Sequence, residues 1–127
     1  MNSSKNILIS GAAGFLGAKL LEALCKHGFK VSAIARNQDS HLPVQQHKNL
    51  NWLFRDITLS PLTCEEASFY DTVIHLAYVN GTKFFYKKPF EILDIAVNGF
   101  LNILKFSKER KVKNFYLNSS SEVYQTP

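Results

Sequence analysis

Residues 5–17 read KNILISGAAGFLG, and this stretch decides the fold. Its short apolar run ends at Gly11. A run of this length is typical of a strand that is buried on both faces. Residues 14–27 then carry leucines at helical spacing, which predicts a helix. Gly11, Gly14 and Gly17 therefore fall in the turn between a predicted strand and a predicted helix, and at the start of that helix.

The three glycines have separate physical uses in such a turn. Gly11 permits the tight turn out of the strand, and Gly17 lets the helix pack closely on the strand. Gly14 has no Cβ, so the backbone there can approach a pyrophosphate. The N-terminus of the helix adds free N–H groups and the positive end of its dipole. The pattern predicts a dinucleotide-binding turn, and the alternative is a structural turn without a ligand.

Strand-like and helix-like segments alternate along the rest of the chain. Alternation of this kind predicts right-handed crossovers and an α/β fold, a Rossmann-type doubly wound parallel sheet that stops after its fifth strand. A ligand is expected beyond the carboxyl ends of the strands, where the strand order reverses. The predicted strands are 5–10, 30–35, 51–55, 72–77 and 114–119; the predicted helices are 14–27, a short one beginning at Ser60-Pro61, and one from Pro89 to about Arg110; 36–48 and 78–88 are predicted loops.

The last predicted helix is long and carries an apolar stripe of the kind that faces a core. The positions of this stripe are Phe90, Leu93, Val97, Leu101, Leu104 and Lys105.

Composition indicates an ordinary globular domain. The chain has 127 residues, 46% of them hydrophobic and 20% charged, which fits one domain. No apolar run approaches the roughly 20 residues that cross a bilayer, and the N-terminal apolar stretch is too short for a secretory signal, so we expect a cytoplasmic protein without a membrane partner. Two cysteines without a CxxC or Cys/His cluster predict no metal site. Most of the excess positive charge is scattered, so we expect no nucleic-acid partner.

The GxxGxxG spacing resembles that of the extended short-chain dehydrogenases/reductases, which include NAD(P)-dependent nucleotide-sugar epimerases, dehydratases and decarboxylases. Four further segments carry the resemblance over nearly the whole chain: RDI at 55–57, DTVIHLA at 71–77, NGFLNIL at 98–104 and NSSSEVY at 118–124. It implies that residues 1–127 form an NAD(P)-binding domain. The cofactor-binding residues that we expect are Gly11, Gly14, Phe15, Leu16, Gly17, Arg36, Asp56, Ile57, Leu76, Ala77 and Tyr78.

The choice of cofactor depends on the end of the second predicted strand. A carboxylate there would favour NAD, whereas this chain has Arg36, which can form a bidentate pair with a phosphate. We therefore expect NADP or NAD, with NADP favoured. The resemblance implies that Asp56 accepts a hydrogen bond from the adenine amine. Tyr78 stands where the family often has a small residue, and His75 is interpreted as a packed core histidine.

The resemblance also implies catalytic residues after the fifth strand. Aligned on VY at 123–124, the family's catalytic Ser/Thr falls on Ser120, whose hydroxyl would polarise the reacting oxygen. Glu122 is a second candidate, for acid–base chemistry. The family's Tyr-x-x-x-Lys pair does not occur in these 127 residues, and its sugar-binding region is absent as well. We expect this fragment to be inactive by itself.

Three functions stay open from the sequence. The leading hypothesis is that the chain is the NAD(P)-binding part of an epimerase/dehydratase-type oxidoreductase. In full-length form this enzyme would transfer a hydride between the nicotinamide and a small-molecule substrate, a nucleotide-linked sugar. The full-length protein is also expected to form a homodimer. The second is a non-catalytic NAD(P)-binding sensor or scaffold. Ala96, which falls where the family has Asn, favours this second function. The third is a reductase of a non-sugar carbonyl compound, which Arg36 favours.

Overall fold

The computed structural model describes residues 5–37, 42–44, 46–59, 69–79, 81–120 and 123–124. Within them, five parallel strands form one sheet in the order β3-β2-β1-β4-β5. The order reverses between β1 and β4, which is where open α/β sheets bind ligands. The predicted doubly wound parallel sheet is confirmed. The strands are β1 (Asn6–Ser10), β2 (Lys30–Ala35), β3 (Leu50–Phe54), β4 (Thr72–His75) and β5 (Asn114–Leu117).

The central strand β1 pairs with β2 on one side and β4 on the other, and its side chains alternate between two cores. Ile7 and Ile9 pack in one core with Leu21 of α1 (Phe15–Lys26). Leu8 packs on the opposite face with Ile103. Because both faces are covered, the strand reads as a continuous apolar run rather than an alternating one.

The second face of the sheet is covered by a long helix in three consecutive parts. These are α3 (Pro89–Leu93), a π-helical segment (Asp94–Gly99) and α4 (Phe100–Glu109). The extent of the helix matches the prediction, whereas the π-helical segment was not predicted. Such segments are rare and occur often at functional sites.

The predicted core-facing stripe of the long helix is wrong. Phe90 is 85% exposed and Leu93 59% exposed, and the apolar stripe residues after them are also exposed. The stripe and the buried face have the same spacing of three, four, four and three, displaced by two residues, or about 200° around a helix. Periodicity therefore cannot choose between the faces; packing on the sheet does. The buried face consists of Ile92, Ile95, Gly99, Ile103 and Phe106, with Ser107 beside them.

The remaining elements differ from the prediction at particular places. The predicted loop 78–88 contains a short helix, α2 (Thr82–Lys87), none of whose residues is buried. The helix expected at Ser60-Pro61 lies outside the described residues. The ends of the described strands agree with the prediction to within two residues. No helix in the described ranges has the length and apolarity needed to cross a membrane.

Candidate cofactor-binding site

A cavity of about 270 Å³ opens where the strand order reverses. The loops that follow β1, β2, β3 and β4 line it, together with one residue of the π-helical segment. Eight of the eleven cofactor residues predicted from the sequence are among its walls. The lining residues are Gly11, Ala13, Gly14, Ile34, Ala35, Arg36, Arg55, Asp56, Ile57, Leu76, Ala77, Tyr78, Val79 and Ile95.

The other three predicted residues lie at the start of α1 and do not line this cavity. Phe15 is 88% exposed and Leu16 is 51% exposed. Gly17 is buried behind the turn. These three residues border or support the turn, and their predicted contacts with a cofactor stay a prediction.

The turn after β1 requires glycine at two of its positions. Gly11 has φ +73°, and a Cβ there would lie 2.6 Å from the backbone nitrogen of Ala77. A Cβ on Gly17 would lie 2.8 Å from the Cα of Ala12. Neither position has room for a side chain, because the obstructing atoms are backbone. The approach at Gly11 seats the turn on the residues that directly follow β4, and the approach at Gly17 seats the start of α1 on the turn.

Gly14 sits at the N-cap of α1, where the backbone is extended, with φ −74° and ψ 173°. A Cβ at this position would meet the Gly11 carbonyl oxygen at 3.3 Å, a tight but not prohibitive contact. Within the described residues no side chain caps α1, and its first turn holds no acidic residue. The first-turn N–H groups and the positive end of the dipole are thus left for an anion.

An ionised carboxylate lies on the opposite wall of the cavity. Oδ1 of Asp56 accepts hydrogen bonds from the Thr58 hydroxyl at 2.7 Å and from the Thr58 backbone N–H at 2.9 Å. The hydroxyl bond is the main cause that lowers the pKa of Asp56, and the positive charge of Arg36 contributes in the same direction. Asp56 is therefore a charged acceptor at neutral pH, with a guanidinium group nearby.

Sequence reasoning missed several walls of the cavity. Ala13 and Val79 adjoin predicted residues along the chain, whereas Ile95 comes from the long helix on the other face of the sheet. Ile95 belongs to the second apolar stripe of the helix, so the sequence did contain a signal for it. Because the prediction took the other stripe as the core-facing one, it missed Ile95.

A second cavity, of about 540 Å³, adjoins the first. Leu76, Ala77 and Tyr78 line both cavities. Ser120 lies on the wall of the second cavity together with Ala96, the residue that replaces the Asn of the resembled family. Tyr78 is 54% exposed and stands between the two spaces. Glu122, the other predicted catalytic residue, lies outside the described residues.

His75 borders the second cavity from the interior of the sheet. It is only 4% exposed, and its Nδ1 shares a hydrogen bond of 2.6 Å with the hydroxyl of Ser10. Its ring also packs 5.9 Å from that of Phe100. Burial lowers the pKa of His75, so the ring is neutral at pH 7. These contacts match the interpretation of His75 as a packed core histidine.

Comparison with known proteins identifies several named relatives of this chain. The chain is 32% identical, over 94% of its length, to a UDP-N-acetyl-alpha-D-glucosaminuronate decarboxylase of Bacillus cytotoxicus. It is 30% identical, over 92% of its length, to a UDP-glucuronate 4-epimerase of Thermodesulfobacterium geofontis. The fold matches that of the Bordetella bronchiseptica enzyme WbmF in complex with NAD⁺, with a TM-score of 0.81, 22% identity and 97% of this chain covered.

The chain spans about two fifths of the length of these proteins: 38% of the decarboxylase, 40% of the epimerase and 38% of WbmF. The family described as "NAD dependent epimerase/dehydratase family" matches residues 7–127. This match takes in the glycine turn, every described wall of both cavities and the segment after β5. The chain therefore belongs to the NAD-dependent epimerase/dehydratase family.

Proposed function

We propose that residues 1–127 are the NAD(P)-binding domain of an oxidoreductase that acts on a nucleotide-linked sugar. The observation that carries the proposal is the cavity at the strand-order reversal, with a bare glycine turn on one wall and a charged carboxylate on another. The relatives named for UDP-sugar reactions support the class of substrate.

The residues around the cavity fit a dinucleotide. Gly14 and the first-turn N–H groups of α1 would hold the diphosphate, since no side chain in the described part of the chain caps the N-terminus of that helix. Both Thr58 bonds end on Oδ1 of Asp56, which leaves Oδ2 to accept from the adenine amine. The bound cofactor would supply the capacity to take a hydride from a sugar carbon and return it.

The second cavity is the proposed place of reaction. Ser120 would donate a hydrogen bond to the reacting oxygen of the sugar, and the buried ring of His75 would keep the wall beneath it rigid. We infer that Glu122 assists as an acid or base. The Tyr-Lys pair of the family would come from the part of such a protein that follows the region matched here. Tyr78 would partly separate the sugar in the second cavity from the adenine in the first cavity.

Replacing Gly14 with valine should weaken the binding of NAD⁺ and NADP⁺ by roughly 100-fold, because the new side chain enters the place of the diphosphate. The extended backbone of Gly14 accepts a side chain, but its Cβ would lie 3.3 Å from the Gly11 carbonyl oxygen, so the melting temperature should fall by a few degrees while the protein stays folded. Isothermal titration of the purified full-length protein measures the affinities, and a thermal melt checks the fold.

The matched control is Ala23→Val, which adds the same branched bulk at an exposed position further along α1. It should leave both affinities unchanged. Full affinity in a folded Gly14→Val protein would contradict the proposed diphosphate site.

Among the two cofactors we infer a preference for NADP. Arg36 follows β2 directly and lines the cavity, where its guanidinium can pair with a 2′-phosphate. Arg36→Ala should raise the dissociation constant of NADP⁺ by roughly 30-fold and change that of NAD⁺ less than about twofold. Titration of both cofactors into the wild type, Arg36→Ala and Arg55→Ala measures the effect, with Arg55→Ala as the control because Arg55 lines the same cavity. Equal affinity of the wild type for both cofactors, or a loss confined to Arg55→Ala, would contradict the assignment to Arg36.

A non-catalytic NAD(P)-binding sensor is the second candidate. Ala96 on the wall of the second cavity favours it, because the Asn that the family places there is missing. Binding of cofactor by the full-length protein without turnover of any UDP-sugar would support this candidate over the first.

A further inference from the structure

The long helix holds the turn that follows β3, from a distance of 45 residues along the chain. The side-chain amide of Asn102 donates a hydrogen bond of 2.9 Å from its Nδ2 to the backbone oxygen of Ile57. Asn102 is half-buried, so the bond lies between the helix and the turn rather than in open solvent. This contact fixes the peptide that joins Ile57 to Thr58, and the N–H of that peptide donates to Asp56.

A second contact presses the same turn against the helix. A Cβ on Gly99 would lie 3.0 Å from Cδ1 and 3.1 Å from Cγ1 of Ile57, so the side chain of Ile57 rests against the helix backbone at Gly99. Ile57 is 7% exposed. Ile95, one helical turn before Gly99, lines the same cavity as Ile57. The turn is thus fixed at its backbone by one contact and at its side chain by another.

The carboxylate of Asp56 is fixed within this same turn. Oδ1 of Asp56 takes both bonds from Thr58, so the orientation of the carboxylate follows the conformation of residues 56–58. That conformation in turn depends on where the peptide of Ile57 is held. A chain of direct contacts therefore runs from Asn102 to the carboxylate that faces the cavity.

We propose that Asn102 and Gly99 are positioning residues for recognition of the cofactor's base. They hold the turn so that Asp56 presents its carboxylate to an exocyclic amine. The inference rests on the proposed function, since it takes a dinucleotide as the ligand. It adds that the long helix, and not only the loop after β3, decides which base is accepted.

The chemical difference between adenine and hypoxanthine supplies a measurement that a general loss of stability does not change. Adenine carries an amine that donates to a carboxylate, whereas hypoxanthine carries a carbonyl oxygen at the same position, which an ionised carboxylate repels. The ratio of the dissociation constants of the hypoxanthine and adenine dinucleotides reports how well Asp56 is aimed. Loose folding weakens both ligands and leaves the ratio unchanged.

The test compares Asn102→Leu with Asn98→Ala in the full-length protein. Leucine keeps the branched shape of Asn102, with a somewhat larger volume, and removes the donor. Asn98 is the control, because among the described residues its Nδ2 bonds within the helix, to Asp94 at 2.7 Å. NAD⁺ and nicotinamide hypoxanthine dinucleotide are titrated into each protein. We expect the wild type and Asn98→Ala to favour adenine by roughly tenfold, and Asn102→Leu to bring the ratio close to one.

Gly99→Ala is a second variant, in case Asn102→Leu does not fold. Its methyl group would push Ile57 outward while alanine favours the helix, so the ratio should fall in the same direction. Absence of binding by either dinucleotide to the wild type would overturn the proposed function itself. A wild type that binds both bases equally, or variants that keep the wild-type ratio, would overturn the positioning role and leave cofactor binding standing.

Discussion

Replacing Gly11 with alanine should destabilise the domain by about 3 kcal/mol, which lowers the melting temperature by roughly 15 °C. Two effects combine at this position. The residue has φ +73°, a conformation that L side chains rarely adopt, and its Cβ would lie within 2.8 Å of three backbone atoms of Leu76 and Ala77. Backbone atoms cannot rotate aside, so either the turn or the end of β4 must shift. Urea unfolding followed by circular dichroism measures the loss.

Gly28→Ala separates the two effects, because Gly28 has a similar φ of +83° with no atom within 4 Å of the added Cβ. It should cost only about 1 kcal/mol, the conformational part alone. The difference of about 2 kcal/mol then measures how closely the turn is seated on β4. Equal losses of unfolding free energy in the two variants would mean that the turn moves away from β4 easily. The cavity wall that the turn forms would then not be rigid.

The sequence was sufficient for this turn because its requirements are local. A strand that stops at a glycine, followed by helical spacing, predicts a strand–turn–helix unit with the turn at the carboxyl end of the strand. The cavity walls after β2, β3 and β4 could also be predicted, since the carboxyl ends of parallel strands meet at one edge. Arg36 was predicted from its place at the end of the second strand, and Asp56 and Ala77 from the family resemblance; all three line one cavity.

The long helix shows where local reasoning stops. Its two apolar stripes have the same spacing, and only contact with the sheet decides that Ile95 and Ile103 turn inward. Side chains from this helix that reach the cavity or its turn, such as Ile95 and Asn102, therefore could not be placed. The bond from Asn102 to Ile57 joins residues 45 positions apart, and no periodicity in the sequence encodes it.

Ser120→Ala in the full-length protein should lower kcat by roughly 100-fold, the usual consequence of removing one hydrogen-bond donor to a reacting oxygen. The affinity for the cofactor should stay within about twofold of the wild-type value, since Ser120 lines the second cavity and not the first. KM should change little if the hydroxyl acts mainly on the reacting oxygen. The assay follows turnover of a nucleotide-linked sugar, the substrate class of the proposed function.

Ser32→Ala is the matched control: it makes the same chemical change in β2, away from the walls of both cavities, and should leave kcat unchanged. The pattern of constants then separates the proposed roles. A lower kcat with unchanged cofactor affinity places Ser120 at the reacting oxygen, because a collapse of the loop after β5 would also disturb Tyr78, which the two cavities share. Equal loss of kcat and cofactor affinity would indicate such a collapse. Unchanged kcat would remove Ser120 from the reaction, whereas absence of turnover in the wild type itself would favour the non-catalytic candidate.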